Sequence, residues 1–270
     1  MEHETLDTSP ATGPEHALYY TDDLIENLQL RWGEGLLSPG GAEELRRMLG
    51  KAEIDGLHVL DFGCGIGGYD ALLVENHGAG HVTGVDIDEA SLAVADRMRR
   101  QRRLQDRLDF VHVSPGPLPF QDRTFDTVFT KDSIVDLPEK APVFDEMFRV
   151  ARPGAWIFLS DWFRSEAPFT EEMRAWATEG GETYEMDTLK SAAAALSAAG
   201  FTQIETDDRN GWFRDFARDE YQRLKGPLFD TYVARFGRSQ AETSVENARI
   251  RALLADQGQL RPGHVRGRKP

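Results

Sequence analysis

With Cys64 as its one cysteine, this chain of 270 residues cannot form an internal disulfide. No apolar run approaches the roughly 20 residues that a membrane-spanning helix needs. The N-terminus is acidic and has no apolar stretch of the kind that opens a secretory signal. The expectation is a cytoplasmic protein with no membrane partner. Positive charge is also scarce: 31 Lys and Arg stand against 46 Asp and Glu, a net charge of −15. Phosphate contacts need clustered basic residues, so nucleic acid is excluded as the expected partner and a small molecule is left. The seven histidines, at 3, 16, 58, 77, 81, 112 and 264, show no ligand spacing, and no metal is expected. The Gly-x-Ser-x-Gly turn that presents a nucleophilic serine is missing too.

What the chain does have is glycine in one place. The run His58-Val59-Leu60-Asp61-Phe62-Gly63-Cys64-Gly65-Ile66-Gly67-Gly68 joins an apolar strand to a helix through four glycines in six positions. Such a loop turns sharply and lets a ligand lie against the backbone. The helix after it aims unpaired N–H groups and its positive dipole end at the same spot. A second strand, residues 81–86, ends in Asp86, about twenty residues past the loop, where a carboxylate accepts ribose hydroxyls in doubly wound sheets. A nucleoside-containing cofactor is implied. Cys64 sits inside the loop and reads as a small packing residue.

The rest of the chain supplies the fold class. Forty per cent apolar residues is enough for a large core. Strands near 57–61, 81–86, 108–113, 125–130 and 155–160 alternate with helices near 69–76, 89–104 and 139–150, with Pro153-Gly154 as the turn before the fifth strand. That rhythm predicts an α/β fold, a Rossmann-like and mostly parallel sheet with helices on both faces. Before it, a helix from Tyr19 to Leu30, with Thr21 as N-cap, and a second over 41–49 form an N-terminal helical cap. After it come helices near 169–179 and 187–199, a sixth strand over 201–206, and an apolar stripe over 212–224 that reads as core. The predicted division is a disordered 1–16, a cap over 17–50, a cofactor domain over 51–255 with substrate-binding insertions after the fifth strand, and a solvated basic tail over 256–270.

Gly63-x-Gly65-x-x-Gly68 also satisfies the dinucleotide fingerprint, which alone is a weak signal. Asp61, two residues before the first glycine, would face a pyrophosphate unfavourably but suits a cationic amino acid. The pattern Asp-x-Gly-x-Gly-x-Gly-Gly resembles the first motif of class I S-adenosylmethionine-dependent methyltransferases. Within that class, Trp32-Gly33-Glu34-Gly35-Leu36-Leu37-Ser38-Pro39-Gly40-Gly41, preceded by Tyr20-Thr21-Asp22, looks like the cap of phosphoethanolamine N-methyltransferases. Residues 125–137 resemble that family's fourth strand and loop, and Ser160-Asp161-Trp162 falls where its fifth strand ends in an aromatic residue. The resemblance runs from Tyr19 to Phe201 and more loosely to Arg251.

Carried over by position, the resemblance implies S-adenosylmethionine as cofactor. Tyr19, Leu37 and Ser38 would close over it, and Asp61, Gly63, Gly65, Asp86, Ile87, Ser114, Pro115 and Lys131 would contact it. Tyr20 would be the catalytic tyrosine and Asp132 would face the acceptor amine. The departures are specific. The family's loop histidine is Asp136 here, which is assigned a catalytic role with Tyr20. The adenine-contacting acid is Ser114. The tyrosines and arginine that grip phosphate are replaced by Trp162, Trp176, Gly180 and Glu182, with one basic contact surviving as Arg249. Carboxylates and tryptophan faces suit a cation, at about 2 kcal/mol for a desolvated cation over tryptophan. The expected acceptor is therefore a small cationic or zwitterionic molecule, methylated on nitrogen and bound through Trp162, Trp176, Glu182 and Arg249. Alternatives are a thioether such as methionine sulfur, which needs no base, and phosphoethanolamine itself. A non-catalytic S-adenosylmethionine binder and an NAD-dependent oxidoreductase are further alternatives.

Overall fold

A computed structural model describes residues 20–135, 137–178 and 186–270. The chain runs through helices α1 (Asp22–Trp32) and α2 (Gly41–Leu49) into β1 (His58–Phe62), α3 (Gly68–His77), β2 (His81–Asp86), α4 (Glu89–Gln101), β3 (Leu108–His112) and β4 (Phe125–Lys131). It continues with α5 (Ala141–Val150), β5 (Ala151–Arg164), α6 (Glu171–Ala177), α7 (Leu189–Ala198) and β6 (Thr202–Asp208). Helices α8 (Asn210–Lys225), α9 (Phe229–Phe236) and α10 (Arg238–Asp256) precede β7 (Leu260–Arg268). Among the described residues no helix is long and apolar enough to cross a membrane.

The strands form one seven-stranded sheet in the order β3-β2-β1-β4-β5-β7-β6. The β3-to-β5 pairs are parallel, and β7 is antiparallel to both β5 and β6. The central strands are apolar at successive positions because both sheet faces are covered. Leu60, Val128 and Ile157 join Phe144 and Met147 in one layer, while Val59, Phe129 and Phe158 join Leu45, Tyr69 and Leu73 in the other. The sheet order reverses between β1 and β4, so the crevice beyond their C-terminal ends receives the glycine loop, the end of β2 and the residues after β4.

The helix ends follow their sequence signals. The Thr21 hydroxyl accepts from the Leu24 N–H at 3.2 Å, and Asp88 takes the Ala90 and Ser91 N–H groups at the start of α4. The apolar stripe over 212–224 lies in α8, whose Phe213, Ala217 and Leu224 are buried as expected of core.

Two expectations are corrected. The fifth strand begins at Ala151, before Pro153-Gly154, which sit in a register irregularity opposite Phe125–Thr127. The predicted solvated tail is instead β7, an interior strand with Val265 fully buried. Its basic residues disguise it because each has a partner at the margin. Arg266 meets Glu205 at 2.6 Å, Arg268 stacks 4.2 Å from the Trp156 ring, and Lys269 donates to the Phe148 and Ala151 carbonyls at 2.6 and 2.9 Å. Helices α9 and α10 were not foreseen.

Candidate active site

The loop after β1 is fixed by contacts that only glycine permits. Gly63 has φ +76°, and a Cβ there would collide with Ser133, whose hydroxyl donates to the Phe62 carbonyl at 3.0 Å. A Cβ on Gly68 would overlap the Gly35 carbonyl oxygen, so the cap and the start of α3 touch backbone to backbone. The Gly65 N–H donates to Asp86 at 2.7 Å and the Asp88 N–H donates to its other oxygen at 3.0 Å. Burial pushes the Asp86 carboxyl above its ordinary value, against those backbone donors.

Beneath the loop lies a buried acid pair. Asp61 is 2% exposed and Asp70 is fully buried. One Asp61 oxygen and both Asp70 oxygens lack a donor partner among the described residues. Burial, reinforced for Asp61 by its neighbour's charge, pushes Asp61 well up and Asp70 up to about 7. The pair therefore retains protons that free aspartates would lose. Burial and the same acids push the Cys64 thiol up, which fits a packing role and not a nucleophile.

The segment after β4 brings a second charged pair. Lys131 Nζ lies 2.6 Å from Asp132 Oδ2, with both side chains nearly buried. Burial works against the ammonium, but Asp132 and Tyr69 outweigh it and hold Lys131 above its ordinary value. Asp132 adopts φ +54°, a left-handed conformation that aspartate tolerates better than most residues. The Tyr69 hydroxyl accepts from the Gly41 N–H and donates to the Pro39 carbonyl, each at 3.1 Å, which ties the cap loop to α3.

These groups wall one cavity of about 430 Å³. Tyr20, Leu37, Ser38, Asp61, Gly63, Gly65, Asp86, Ile87, Lys131, Asp132, Trp162 and Trp176, all singled out in the sequence, line it. Trp162 also packs edge-on against Phe213 with ring centroids 5.0 Å apart, so it is at once a core residue and a wall. Three expected site residues do not reach the cavity. Ser114 and Pro115 are exposed beyond Val113, which lines it in their stead. Arg249 points to solvent and pairs with Glu246 at 2.6 Å, whereas Arg251, further round α10, lines the cavity. Tyr19, Asp136 and Glu182, together with Gly180, lie outside the described residues.

Tyr69 and Arg251 also line the cavity and were missed in the sequence. Arg251 donates to Glu220 at 3.0 Å; Glu220 also accepts from Trp32 Nε1 at 2.8 Å and lies 3.6 Å from Arg31. Two buried guanidiniums thus face one carboxylate, leaving an excess positive charge beside the cavity. Burial pushes Arg31 down, followed by repulsion from Arg251. The Arg249 position suggested a basic residue on this stretch, but only the helical phase of α10 distinguishes the two arginines. No group of three or more His, Cys, Asp or Glu suited to a metal is found among the described residues.

A family model described as "Methyltransferase domain" matches residues 54–218. A phosphoethanolamine N-methyltransferase of Triticum aestivum is 27% identical over 239 residues, covering 88% of this chain and 46% of the relative. One from Arabidopsis thaliana is 28% identical over 195 residues, covering 72% of this chain and 39% of the relative. The chain thus spans about half the length of the curated relatives it matches, or less. Among solved structures, phosphoethanolamine N-methyltransferase 2 of Haemonchus contortus, in complex with phosphomonomethylethanolamine and S-adenosylhomocysteine, superposes with a TM-score of 0.85. It is 22% identical and covers 93% of this chain and 58% of that one. The cyclopropane synthase MmaA2 of Mycobacterium tuberculosis gives a TM-score of 0.74 at 14% identity, covering 92% and 94%. These likenesses agree with the fold. The chain belongs to the methyltransferase-domain family.

Proposed function

We propose that this chain transfers a methyl group from S-adenosylmethionine to the amine nitrogen of a small zwitterionic acceptor. The observation that carries this reading is the shared cavity. The glycine loop, Asp86 and Asp61 wall it together with Asp132, two tryptophans and the buried Arg251. The residues present suit that cofactor. Asp61, with one oxygen short of a donor, matches an α-ammonium, Asp86 matches a ribose, and Ile87, 45% exposed, offers an apolar face for a base. When bound, the cofactor supplies an electrophilic methyl on a sulfonium.

The chain's own residues then position and prepare the nucleophile. Asp132, paired with Lys131 at 2.6 Å, receives the acceptor's ammonium at its carboxylate. Trp162 and Trp176 present faces to the same cation, and Tyr20 with Asp136 orients the amine toward the methyl. The cap, held by Tyr69, excludes water and keeps the reacting atoms within near-attack distance. Arg251 takes the acceptor's anionic end, the role the sequence gave to Arg249. The reaction is placed in the cytoplasm.

A second reading, phosphoethanolamine as acceptor, is favoured by the relatives and by that same positive charge. Labelled S-adenosylmethionine with a panel of phosphoethanolamine, its methylated forms, ethanolamine, simple amino acids including methionine, and small diamines separates the two. Turnover of carboxylate-bearing amines, with KM for the acceptor raised at least tenfold by Arg251→Lys and unchanged by Arg249→Ala, is the expected result. Turnover of the phosphorylated amines alone establishes the second reading, and no turnover of any amine refutes both.

A further inference from the structure

Behind the cavity is a buried dyad that the reading above does not use. Glu44, on α2, and His264, on β7, are 3% and 5% exposed, and His264 Nε2 lies 3.1 Å from Glu44 Oε1. Arg209 donates to both Glu44 oxygens, at 2.6 and 3.1 Å. Burial alone would raise the Glu44 carboxyl, but His264 and Arg209 together bring it down to about 2, so it is anionic throughout the working range. An anionic Glu44 fixes the proton of a neutral imidazole on Nε2 and leaves Nδ1 as a bare lone pair. That nitrogen is buried and has no hydrogen-bond partner among the described residues. Unpaired buried acceptors are costly, so one that persists calls for an explanation.

His264 also lines a cavity of about 10 Å³, room for a single water, together with Lys131, Asp132, Ser160 and Trp162. Lys131, Asp132 and Trp162 also line the large cavity, so they form the partition between the two. The charges facing His264 are paired with one another. Glu44 faces Arg209, Asp132 faces Lys131, and Asp207, opposite His264 in the β6–β7 register, pairs with Arg47 at 2.8 Å. A proton arriving at Nδ1 meets the Glu44 carboxylate across the ring.

We propose that His264, oriented by Glu44, receives the proton that the acceptor ammonium gives up, through Asp132 and one bridging water. This inference rests on the amine-methylation reading. The ammonium N–H passes its proton to Asp132, Asp132 passes it to the water, and the water gives a proton to Nδ1. The freed nitrogen lone pair forms the C–N bond as the methyl–sulfur bond breaks, its electron pair going to sulfur. The imidazolium returns its proton to solvent by the same water once product has left. Asp132 serves as a conduit because it lines both cavities, and His264 is a positioning and proton-holding residue that does not touch the acceptor.

The test has two parts on the full chain. In the first, ¹⁵N-histidine-labelled protein without ligands is titrated by NMR, with His264→Gln used to assign the signal. The expected signal is an Nε2–H tautomer with a pyridine-type Nδ1 that gains a proton as pH falls, and Glu44→Gln abolishes the tautomer preference. An Nδ1–H tautomer in the wild type overturns the dyad, whether or not any acceptor has been found. In the second, kcat is followed from pH 6 to 9 with the best amine of the panel. His264→Gln and Glu44→Gln are each expected to lower kcat at pH 7 by 10- to 100-fold, with the loss shrinking toward pH 9 and KM for S-adenosylmethionine within twofold. Variant profiles parallel to the wild type overturn the relay. A panel without turnover refutes the amine reading and the relay with it, leaving the dyad itself to the NMR result.

Discussion

Replacing Asp70 with Asn tests whether the acid pair under the glycine loop is held protonated by burial. A carboxyl moved from 3.8 to about 7 by folding favours the unfolded state by 1.36 kcal/mol for each pH unit between those values, about 4 kcal/mol in all. The sign follows from the raised value. The stability is intact below pH 3.8, falls as the unfolded chain ionises first, and levels off once pH passes 7. At pH 5.5 about 2 kcal/mol has been lost, and at pH 8.5 about 4. Asn carries no titrating proton. Asp70→Asn should therefore gain about 2 kcal/mol relative to wild type between pH 5.5 and 8.5. Urea unfolding of both proteins without ligands, at matched ionic strength, measures this as a double difference from which the general repulsion of an acidic chain cancels. A difference that stays constant within ~0.5 kcal/mol over that range would mean that Asp70 is ionised in the folded protein and that the burial argument fails.

Gly63→Ala places a Cβ at φ +76° and against Ser133; thermal melting should show a loss of about 1–3 kcal/mol, and calorimetry should show no S-adenosylmethionine binding. Tyr69→Phe removes the acceptor of the Gly41 N–H and the donor to the Pro39 carbonyl. It should cost about 1–2 kcal/mol in urea unfolding and raise the S-adenosylmethionine Kd, and an unchanged Kd would separate cap closure from cofactor binding.

The sequence was most readable where function depends on consecutive residues. The glycine loop, Asp61, Asp86 and the Thr21 cap are local patterns, because a turn, a strand end and a helix start each impose residue types on neighbouring positions. The first five strands were equally plain, since a sheet buried on both faces writes itself as continuous apolar runs such as Val59-Leu60 and Val128-Phe129. Strand β7 was hidden for the opposite reason. Arg261, Arg266 and Arg268 make it read as polar, and only the distant partners Asp208, Glu205 and Trp156 make those charges compatible with an interior strand. Arg249 and Arg251 carry the same chemistry two residues apart, and the packing of α10 on α8 decides which of them faces inward.

That contrast has a consequence for how this site is divided. The cofactor half is built from one continuous stretch, Asp61 to Ile87, and is constrained by backbone collisions such as that of Gly68 with Gly35. The half we propose for the acceptor is assembled from Asp132, Trp162, Trp176 and Arg251, four side chains on separate elements, with Glu44, Arg209 and His264 behind them. Changes in the second set leave the glycine loop and its hydrogen bonds untouched. An acceptor of a different charge therefore calls for new side chains on β5, α6, α10 and β7 and for no change in the loop after β1. In the relay we propose, the same separation lets a proton leave the amine on the side away from the cofactor, through Asp132 toward His264, without disturbing the groups that hold the sulfonium.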